Sequence, residues 1–142
     1  MTEAEGSQRA VRVAIVDDDP FVVQALRSYL SSSPRIEVLS TFTSARDLLA
    51  FLKRIPVDVL VSDVRMPGMD GLELLARVQE EHPRTAVVML TSFDDDSAML
   101  TALSQQANGF LLKDSSPEDV IRAVIAAHSG GTTISPTTTS RL

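Results

Sequence analysis

The sequence contains no cysteine, which excludes disulfide bonds and thiolate metal sites. It also lacks any apolar stretch long enough to cross a bilayer. The first residues, Met1–Arg9, are polar and lack the apolar core of a signal peptide. We therefore expect a soluble protein of the reducing cytoplasm that makes no membrane contact, and a flexible leader over residues 1–9.

Positive charge is in deficit, with 13 Lys and Arg against 19 Asp and Glu and a net charge of −6. A surface of that charge disfavours direct contact with nucleic acid or anionic membranes. The length of 142 residues suits one domain. Hydrophobic residues make up 44% of the chain, which is enough for a real core.

Short β-branched or apolar runs alternate with segments of helical periodicity through the middle of the chain. The predicted strands are Val11–Val16, Ile36–Phe42, Val57–Val61, Ala86–Leu90 and Gly109–Leu112. A helix follows each strand, and side chains that favour helix N-caps mark the starts at Asp19, Ser44, Asp70, Asp94–Asp96 and Ser116. The last helix is predicted to run to about His128 and to stop at Gly130.

This alternation predicts an α/β fold in which five strands and five helices form a doubly wound (βα)5 parallel sheet. The central strands are apolar at nearly every position, as expected when helices cover both faces of a sheet. We place the domain at residues 10–130. Residues 131–142 are rich in Gly, Thr, Ser and Pro and are predicted to be a linker.

Polar side chains follow the strands where each one ends. Asp17–Asp19 follow the first strand, Asp63 the third, Thr91 the fourth and Lys113 the fifth. In open α/β sheets the ligand site lies beyond the carboxyl ends of the strands, where the strand order reverses. In the order 2-1-3-4-5 the first and third strands are neighbours there, so Asp17, Asp18 and Asp63 would meet.

Three ionised carboxylates at one place repel one another. Two like charges ~4 Å apart cost ~4 kcal/mol at an effective dielectric constant near 20, so a proton or a cation must enter. Oxygen ligands with open positions favour Mg²⁺. With the charge of Lys113 and the hydroxyl of Thr91, these are the parts needed to place a phosphoryl group on a carboxylate.

The motifs at the strand ends resemble those of response-regulator receiver domains, in particular the NarL/LuxR type. They are VDDDP after the first strand, DVRMPGMDG after the third, LTS after the fourth and GFLLKD around the fifth. The similarity covers about residues 11–130. It implies a flavodoxin-like, CheY-like sheet with strand order 2-1-3-4-5, in a two-component signalling protein whose only catalysis is its own phosphorylation and dephosphorylation.

The resemblance also implies the roles of individual residues at the metal site. Asp63 would be the phospho-acceptor. Asp18, Asp63 and the backbone carbonyl of Arg65 would ligate Mg²⁺ directly, and Asp17 would hold the ion through water.

A second group of residues would respond to the phosphorylation of Asp63. Lys113 would pair with Asp63 or its phosphate, the hydroxyl of Thr91 would move toward the phosphoryl oxygen, and Phe110 would turn inward on activation. In such proteins the donor is a phosphohistidine on a sensor histidine kinase, and the output is a changed surface on the fourth helix, fifth strand and fifth helix. Phosphorylation would favour a homodimer, and DNA would be bound through a C-terminal helix-turn-helix domain that follows the linker.

Two details differ between members of this family. Lys113 is followed by Asp114, where many receivers have proline, which leaves the geometry of that peptide bond open. Arg65 and Phe93 occupy positions that flank the phosphoryl group, and we expect them to hinder the attacking water and lengthen its lifetime.

Other functions could use some of these residues. A phosphohydrolase with a D-x-D motif would use Asp17 and Asp19, but such enzymes need a cap domain or long insertions. An FMN carrier needs a Gly- and hydroxyl-rich loop after the first strand, where three acids would repel phosphate. A stand-alone receiver that acts through protein contacts is the remaining alternative. We interpret Asp19, Asp70 and Asp94–Asp96 as helix starts, and His82 and His128 as surface residues.

Overall fold

The computed structural model describes residues 9–91, 101–102, 104–130 and 133–134. In these residues, six parallel strands form one sheet in the order β2-β1-β3-β4-β5-β6. The strands are β1 (Val11–Val16), β2 (Ile36–Phe42), β3 (Val59–Asp63), β4 (Ala86–Thr91), β5 (Gly109–Leu112) and β6 (Thr133–Ile134). The predicted order 2-1-3-4-5 is confirmed, and β6 extends it at one edge.

Four helices connect the strands within the described ranges. They are α1 (Pro20–Ser31), α2 (Ala45–Leu52), α3 (Gly71–Glu81) and α4 (Pro117–His128). The start predicted at Asp94–Asp96 lies outside the described residues, although Thr101, Ala102 and Ser104 are helical. None of these described helices is both long and apolar enough to span a membrane.

Each of the four helices begins directly after the residue predicted to cap it. Asp19 Oδ1 accepts a hydrogen bond from the Phe21 N–H at 2.9 Å, and Asp70 Oδ1 accepts one from the Glu73 N–H at 3.0 Å. The hydroxyls of Ser44 and Ser116 do the same for α2 and α4. These bonds satisfy amide groups that have no partner within the helix.

Side chains alternate between the two faces of the sheet along each strand, and helices cover both faces. Along β1, Val13 and Ile15 join a cluster with α1 and α4, whereas Ala14 and Val16 join a cluster with α2 and α3. Phe110 of β5 lies fully buried on the α2–α3 side. This double burial explains the near-continuous apolar strands. The parallel pairing of the strands places all their carboxyl ends at the same edge.

Three boundaries differ from the sequence-based expectation, and the smallest difference is that β4 ends at Thr91 and not at Leu90. The third strand was expected at Val57–Val61, but β3 spans Val59–Asp63, so Asp63 is its last residue. Asp58 lies just before this strand, where its carboxylate accepts a hydrogen bond from the Arg12 N–H at 2.9 Å. In the range predicted as a linker, Thr133 and Ile134 pair with β5. The domain limits of 10 and 130 stay a prediction.

Candidate site at the carboxyl edge of the sheet

Strand pairing places Asp17 beside Asp63. Val16 lies opposite Ser62 in the β1–β3 register, so the next residue of each strand comes to the same point on the edge. The Asp17 N–H donates to the carbonyl of Phe42 at 3.1 Å, which holds the residue in line with β2 as well. The two carboxylates are 46 residues apart in sequence, and the parallel sheet makes them neighbours.

Asp17, Asp18 and Asp63 form the acidic cluster that the sequence predicts. Each offers one carboxylate oxygen, and these oxygens lie within 4.8 Å of one another. Asp17 and Asp63 are buried, with 0% and 4% of their surface exposed, whereas Asp18 is exposed. Two of the three charges are therefore held largely out of water, and the third faces solvent.

Lys113 bridges the two buried carboxylates. Its Nζ lies 3.2 Å from Asp17 Oδ2 and 3.2 Å from Asp63 Oδ2. The Lys113 N–H donates to the carbonyl of Thr91 at 2.8 Å, so the pairing of β5 with β4 places the base of this side chain. The cluster thus contains three carboxylates and one ammonium group, which contacts two of them, and it keeps an excess of negative charge.

The electrostatics of the cluster follow from this imbalance. Burial raises the pKa of Asp17, although its Oδ1 accepts a hydrogen bond from the Asp19 N–H at 2.9 Å. Burial also raises the pKa of Asp63, against the opposing effect of Lys113. For Lys113, burial alone would lower the pKa, but Asp63 and Asp17 outweigh it, and the pKa is raised. The lysine therefore stays charged, and the carboxylates are poorly compensated.

Two buried oxygen atoms at this edge have unused hydrogen-bonding capacity. Thr91 is 2% exposed, and its Oγ1 has no hydrogen-bond partner among the described residues. Asp17 Oδ2 is also buried, and the contact that it makes there is the 3.2 Å ion pair with Lys113. Buried polar groups usually have partners, and both atoms belong to residues that the sequence assigns to the site.

The loop after β3 borders the cluster on its exposed side. The Arg65 N–H donates to the carboxylate of Asp63, and the Arg65 side chain is exposed. Asp18, Arg65 and the Met66–Gly68 segment line an open depression. The role of the Arg65 carbonyl as a metal ligand stays a prediction.

Sequence reasoning assigned no role to Gly71, the first residue of α3. A Cβ there would overlap the carbonyl oxygen of Asp63 and lie 2.8 Å from Val64 Cα. The Gly71 N–H donates to the Val64 carbonyl at 2.7 Å, so α3 begins directly against the backbone of the acceptor residue. The Asp-Gly pair that ends the DVRMPGMDG motif was the available signal.

Other predicted residues have simpler outcomes. Phe110 is buried, and its part in a switch stays a prediction. Phe93 lies outside the described residues. No peptide bond among the described residues is cis, so the Lys113–Asp114 bond is trans. His128 is exposed as predicted, whereas His82 is partly buried, and its Nε2 has no described partner.

Comparison with known proteins gives a consistent result. Residues 13–125 match the family model of the response regulator receiver domain. The transcriptional regulatory protein LnrK of Bacillus subtilis is 31% identical over 132 residues, which cover 93% of this chain and 60% of LnrK. The nitrate/nitrite response regulator protein NarL of Escherichia coli is 28% identical over 87% of this chain and 57% of its own length. The chain therefore spans less than two thirds of these relatives.

Solved structures agree with these relatives. The isolated REC domain of RcsB from Salmonella enterica serovar Typhimurium, in the presence of phosphomimetic BeF3⁻, has a TM-score of 0.87 at 25% identity. That match covers 94% of this chain and 99% of the other. The signal receiver domain of NarL from Mycobacterium tuberculosis has a TM-score of 0.80 at 34% identity, over 86% of this chain and 98% of the other.

Proposed function

Since the chain belongs to the response regulator receiver family and has NarL-type regulators among its relatives, we propose that Asp63 accepts a phosphoryl group in a Mg²⁺-dependent reaction. One observation carries the proposal. Lys113 Nζ lies 3.2 Å from both Asp17 and Asp63 at the edge where the three carboxylates converge. A phosphoryl group on Asp63 would add negative charge at a site that already holds the ammonium group of Lys113.

The donor set suits Mg²⁺. Asp18, Asp63 and the Arg65 carbonyl would hold the ion directly, and Asp17 would hold it through water. Oxygen ligands that leave room for water and phosphate are typical of magnesium sites, and burial raises the pKa of both Asp17 and Asp63, a sign of uncompensated charge. When bound, Mg²⁺ supplies charge neutralisation for the phosphoryl oxygens.

Asp63, Lys113 and Thr91 would have separate roles in the proposed phosphoryl transfer. A carboxylate oxygen of Asp63 attacks the phosphorus, and the bond from phosphorus to the donor atom breaks, so that the donor leaves with the electron pair. Lys113 is within ion-pair distance of Asp63 and, with its raised pKa, stays protonated to offset charge on the transferred group. The hydroxyl of Thr91, which has no partner among the described residues, would donate to a phosphoryl oxygen.

The proposed donor is a phosphohistidine on a sensor histidine kinase, or a small phosphodonor. Thr91 and Phe110 would then change the surface made by β5, α4 and the helix before β5, and favour a homodimer. The relatives are named as transcriptional regulators, which supports output through a C-terminal helix-turn-helix DNA-binding domain beyond residue 142. In that arrangement, residues 10–130 are the receiver and residues 131–142 the linker.

Incubation with acetyl phosphate and Mg²⁺, followed by intact mass measurement, tests the proposal. We expect one adduct of ~80 Da, the mass of a phosphoryl group. It should be absent in Asp63→Asn and in wild-type protein treated with EDTA. Asp47→Asn, at an exposed acid on α2, is the matched control and should be modified normally. An adduct that persists in Asp63→Asn would overturn the assignment of the acceptor.

Sedimentation of the same samples tests the dimer separately. Phosphorylation can shift a monomer–dimer equilibrium only if the phosphoryl group stabilises the dimer more than the monomer. We expect a larger sedimentation coefficient after phosphorylation. An unchanged coefficient in fully modified protein would remove the dimer from the proposal and leave the acceptor in place.

A further inference from the structure

A groove between α2 and α3 carries an unusual concentration of positive charge. Four cationic side chains line it together with an apolar floor, and the lining residues are Arg46, Leu49, Ala50, Lys53, Arg54, Met69 and Arg77. The whole chain has only 13 Lys and Arg against 19 Asp and Glu. Nearly a third of its positive residues therefore meet in one groove whose lining contains no acid.

Most of this charge has no ion-pair partner in the part of the chain that the structure describes. Arg77 Nε lies 3.3 Å from Glu81 Oε2, an ion pair within α3. Arg46, Lys53 and Arg54 are exposed, and none of them has an ion pair with a described residue. Cations grouped without counter-charges repel one another. An anionic ligand in the groove would remove that repulsion.

The pattern along α2 gives the groove a definite chemical form. Arg46, Leu49, Ala50 and Lys53 are spaced i, i+3, i+4 and i+7, so they lie along one stripe of the helix. The stripe is apolar in the middle and cationic at both ends. Met69, from the loop after Asp63, is partly buried and packs against the same core cluster as Leu49. The groove thus offers an apolar floor with a cationic rim.

We propose that this groove binds an acidic amphipathic segment of another protein. Apolar side chains of the segment would lie on Leu49, Ala50 and Met69, and its carboxylates would face the surrounding Lys and Arg. Recognition of an amphipathic helix in a groove has this division between apolar anchors and charged rim. A nucleic acid backbone needs no apolar floor, and the net charge of −6 opposes its approach.

Titration of the isotope-labelled chain with a designed peptide, followed by amide NMR shifts, tests the proposal. The probe is a synthetic helix-forming peptide with Leu at i, i+3, i+4 and i+7 and Glu beside them. We expect shifts in α2, in the first turns of α3 and at Met69. A scrambled peptide of the same composition should bind at least about tenfold more weakly, because its apolar face is lost. Binding should also weaken with added salt.

Matched charge reversals separate local recognition from net charge. Lys53→Glu with Arg54→Glu should weaken peptide binding about tenfold or more. Arg27→Glu with Arg84→Glu makes the same change in net charge at two exposed cations outside the groove, and should leave the affinity within about twofold. Unchanged amide spectra away from the substitutions would verify the fold of both variants.

Several outcomes would overturn the proposal. These are no peptide binding at millimolar concentration, shifts located outside the groove, and equal loss of affinity in the two charge-reversal variants. Tighter binding of a short DNA duplex at the same residues would identify a nucleic acid surface instead. Groove shifts that depend on protein concentration without peptide would identify self-association. None of these measurements requires phosphorylation, and we expect the same peptide affinity in Asp63→Asn.

Discussion

Polar side chains at the two ends of the sheet differ in their hydrogen bonding. At the amino ends of the strands, the Thr85 hydroxyl donates to the Val57 carbonyl at 2.8 Å, and Asn108 Oδ1 accepts from the Val87 N–H at 3.0 Å. At the carboxyl ends, the Thr91 hydroxyl has no described partner. Thr85 and Thr91 are both buried and stand at opposite ends of β4. The hydroxyl of Thr85 thus connects two segments of the fold, whereas that of Thr91 forms no such connection between described residues.

The same contrast holds for charge. Asp58, before β3, accepts a backbone hydrogen bond from Arg12. Asp63, at the other end of β3, is buried beside Asp17, and its pKa is raised by burial. Buried groups that are poorly compensated lower stability and are found at functional sites. The amino end therefore contributes stability, whereas the buried charges at the carboxyl end lower it.

The largest effect is expected from the removal of Lys113, which bridges Asp17 and Asp63. Lys113→Ala should lower the rate of Asp63 phosphorylation by acetyl phosphate by about 10²-fold or more, the usual loss when one electrostatic group is removed from a reaction site. Lys53→Ala, at an exposed lysine on the groove of α2, is the control and should leave the rate unchanged. A Lys113→Ala protein that reacts at the normal rate would contradict the role of the cation.

The second prediction concerns the close packing of the first residue of α3 against the backbone of Asp63. Gly71→Ala should destabilise the protein by about 3 kcal/mol, because its Cβ has no room beside the Asp63 backbone. Gly68 has φ +81° and open space around it, so Gly68→Ala should cost about 1 kcal/mol of backbone strain. Urea denaturation measures both. Equal costs would mean that α3 can move away from β3 without penalty.

The third prediction uses metal and pH. The folded-state pKa of Asp17 and Asp63 lies above the ordinary value of 3.8. Their protonated forms therefore favour the folded state at low pH, and this contribution is lost as pH rises through the raised values. Bound Mg²⁺ should offset this loss. At a concentration 100 times its Kd, it should raise the free energy of unfolding by about 2.7 kcal/mol.

The control for this prediction is Asp17→Asn. It should raise the stability of the metal-free protein at neutral pH, because one poorly compensated charge is gone, and it should weaken the response to Mg²⁺. Thermal unfolding in EDTA and in Mg²⁺ across the acidic range measures both effects. A wild-type stability that is insensitive to Mg²⁺ would argue against an ion in the cluster.

The smallest expected effect compares the two threonines directly. Thr85→Val should cost about 1 kcal/mol, since it leaves the Val57 carbonyl without its partner. Thr91→Val removes a hydroxyl that has no described partner, and should cost close to nothing. It should instead reduce dimer formation by the phosphorylated protein. If Thr91→Val is the more destabilising substitution, the contrast between the two ends fails.

Much of the fold was predictable because its signals are local. The helix starts at Asp19, Ser44, Asp70 and Ser116 depend on bonds to amides two or three residues away. The strand order and the convergence of Asp17, Asp18 and Asp63 were also predicted correctly. The bounds of β3 were missed, because the apolar run begins at Val57 while the pairing with β1 begins at Val59.

Sequence alone determined the five central strands, the helix starts and the polar residues near the strand ends, since periodicity and capping act over a few neighbours, whereas β6 was not predicted. Tertiary structure decided that Lys113 reaches both Asp17 and Asp63, that Gly71 has no space for a side chain, and that the buried hydroxyl of Thr91 has no partner among the described residues. It also gathered the cations of α2 and α3 around one groove. These features depend on distances between segments remote in the chain, which only the packing of the sheet and its helices sets.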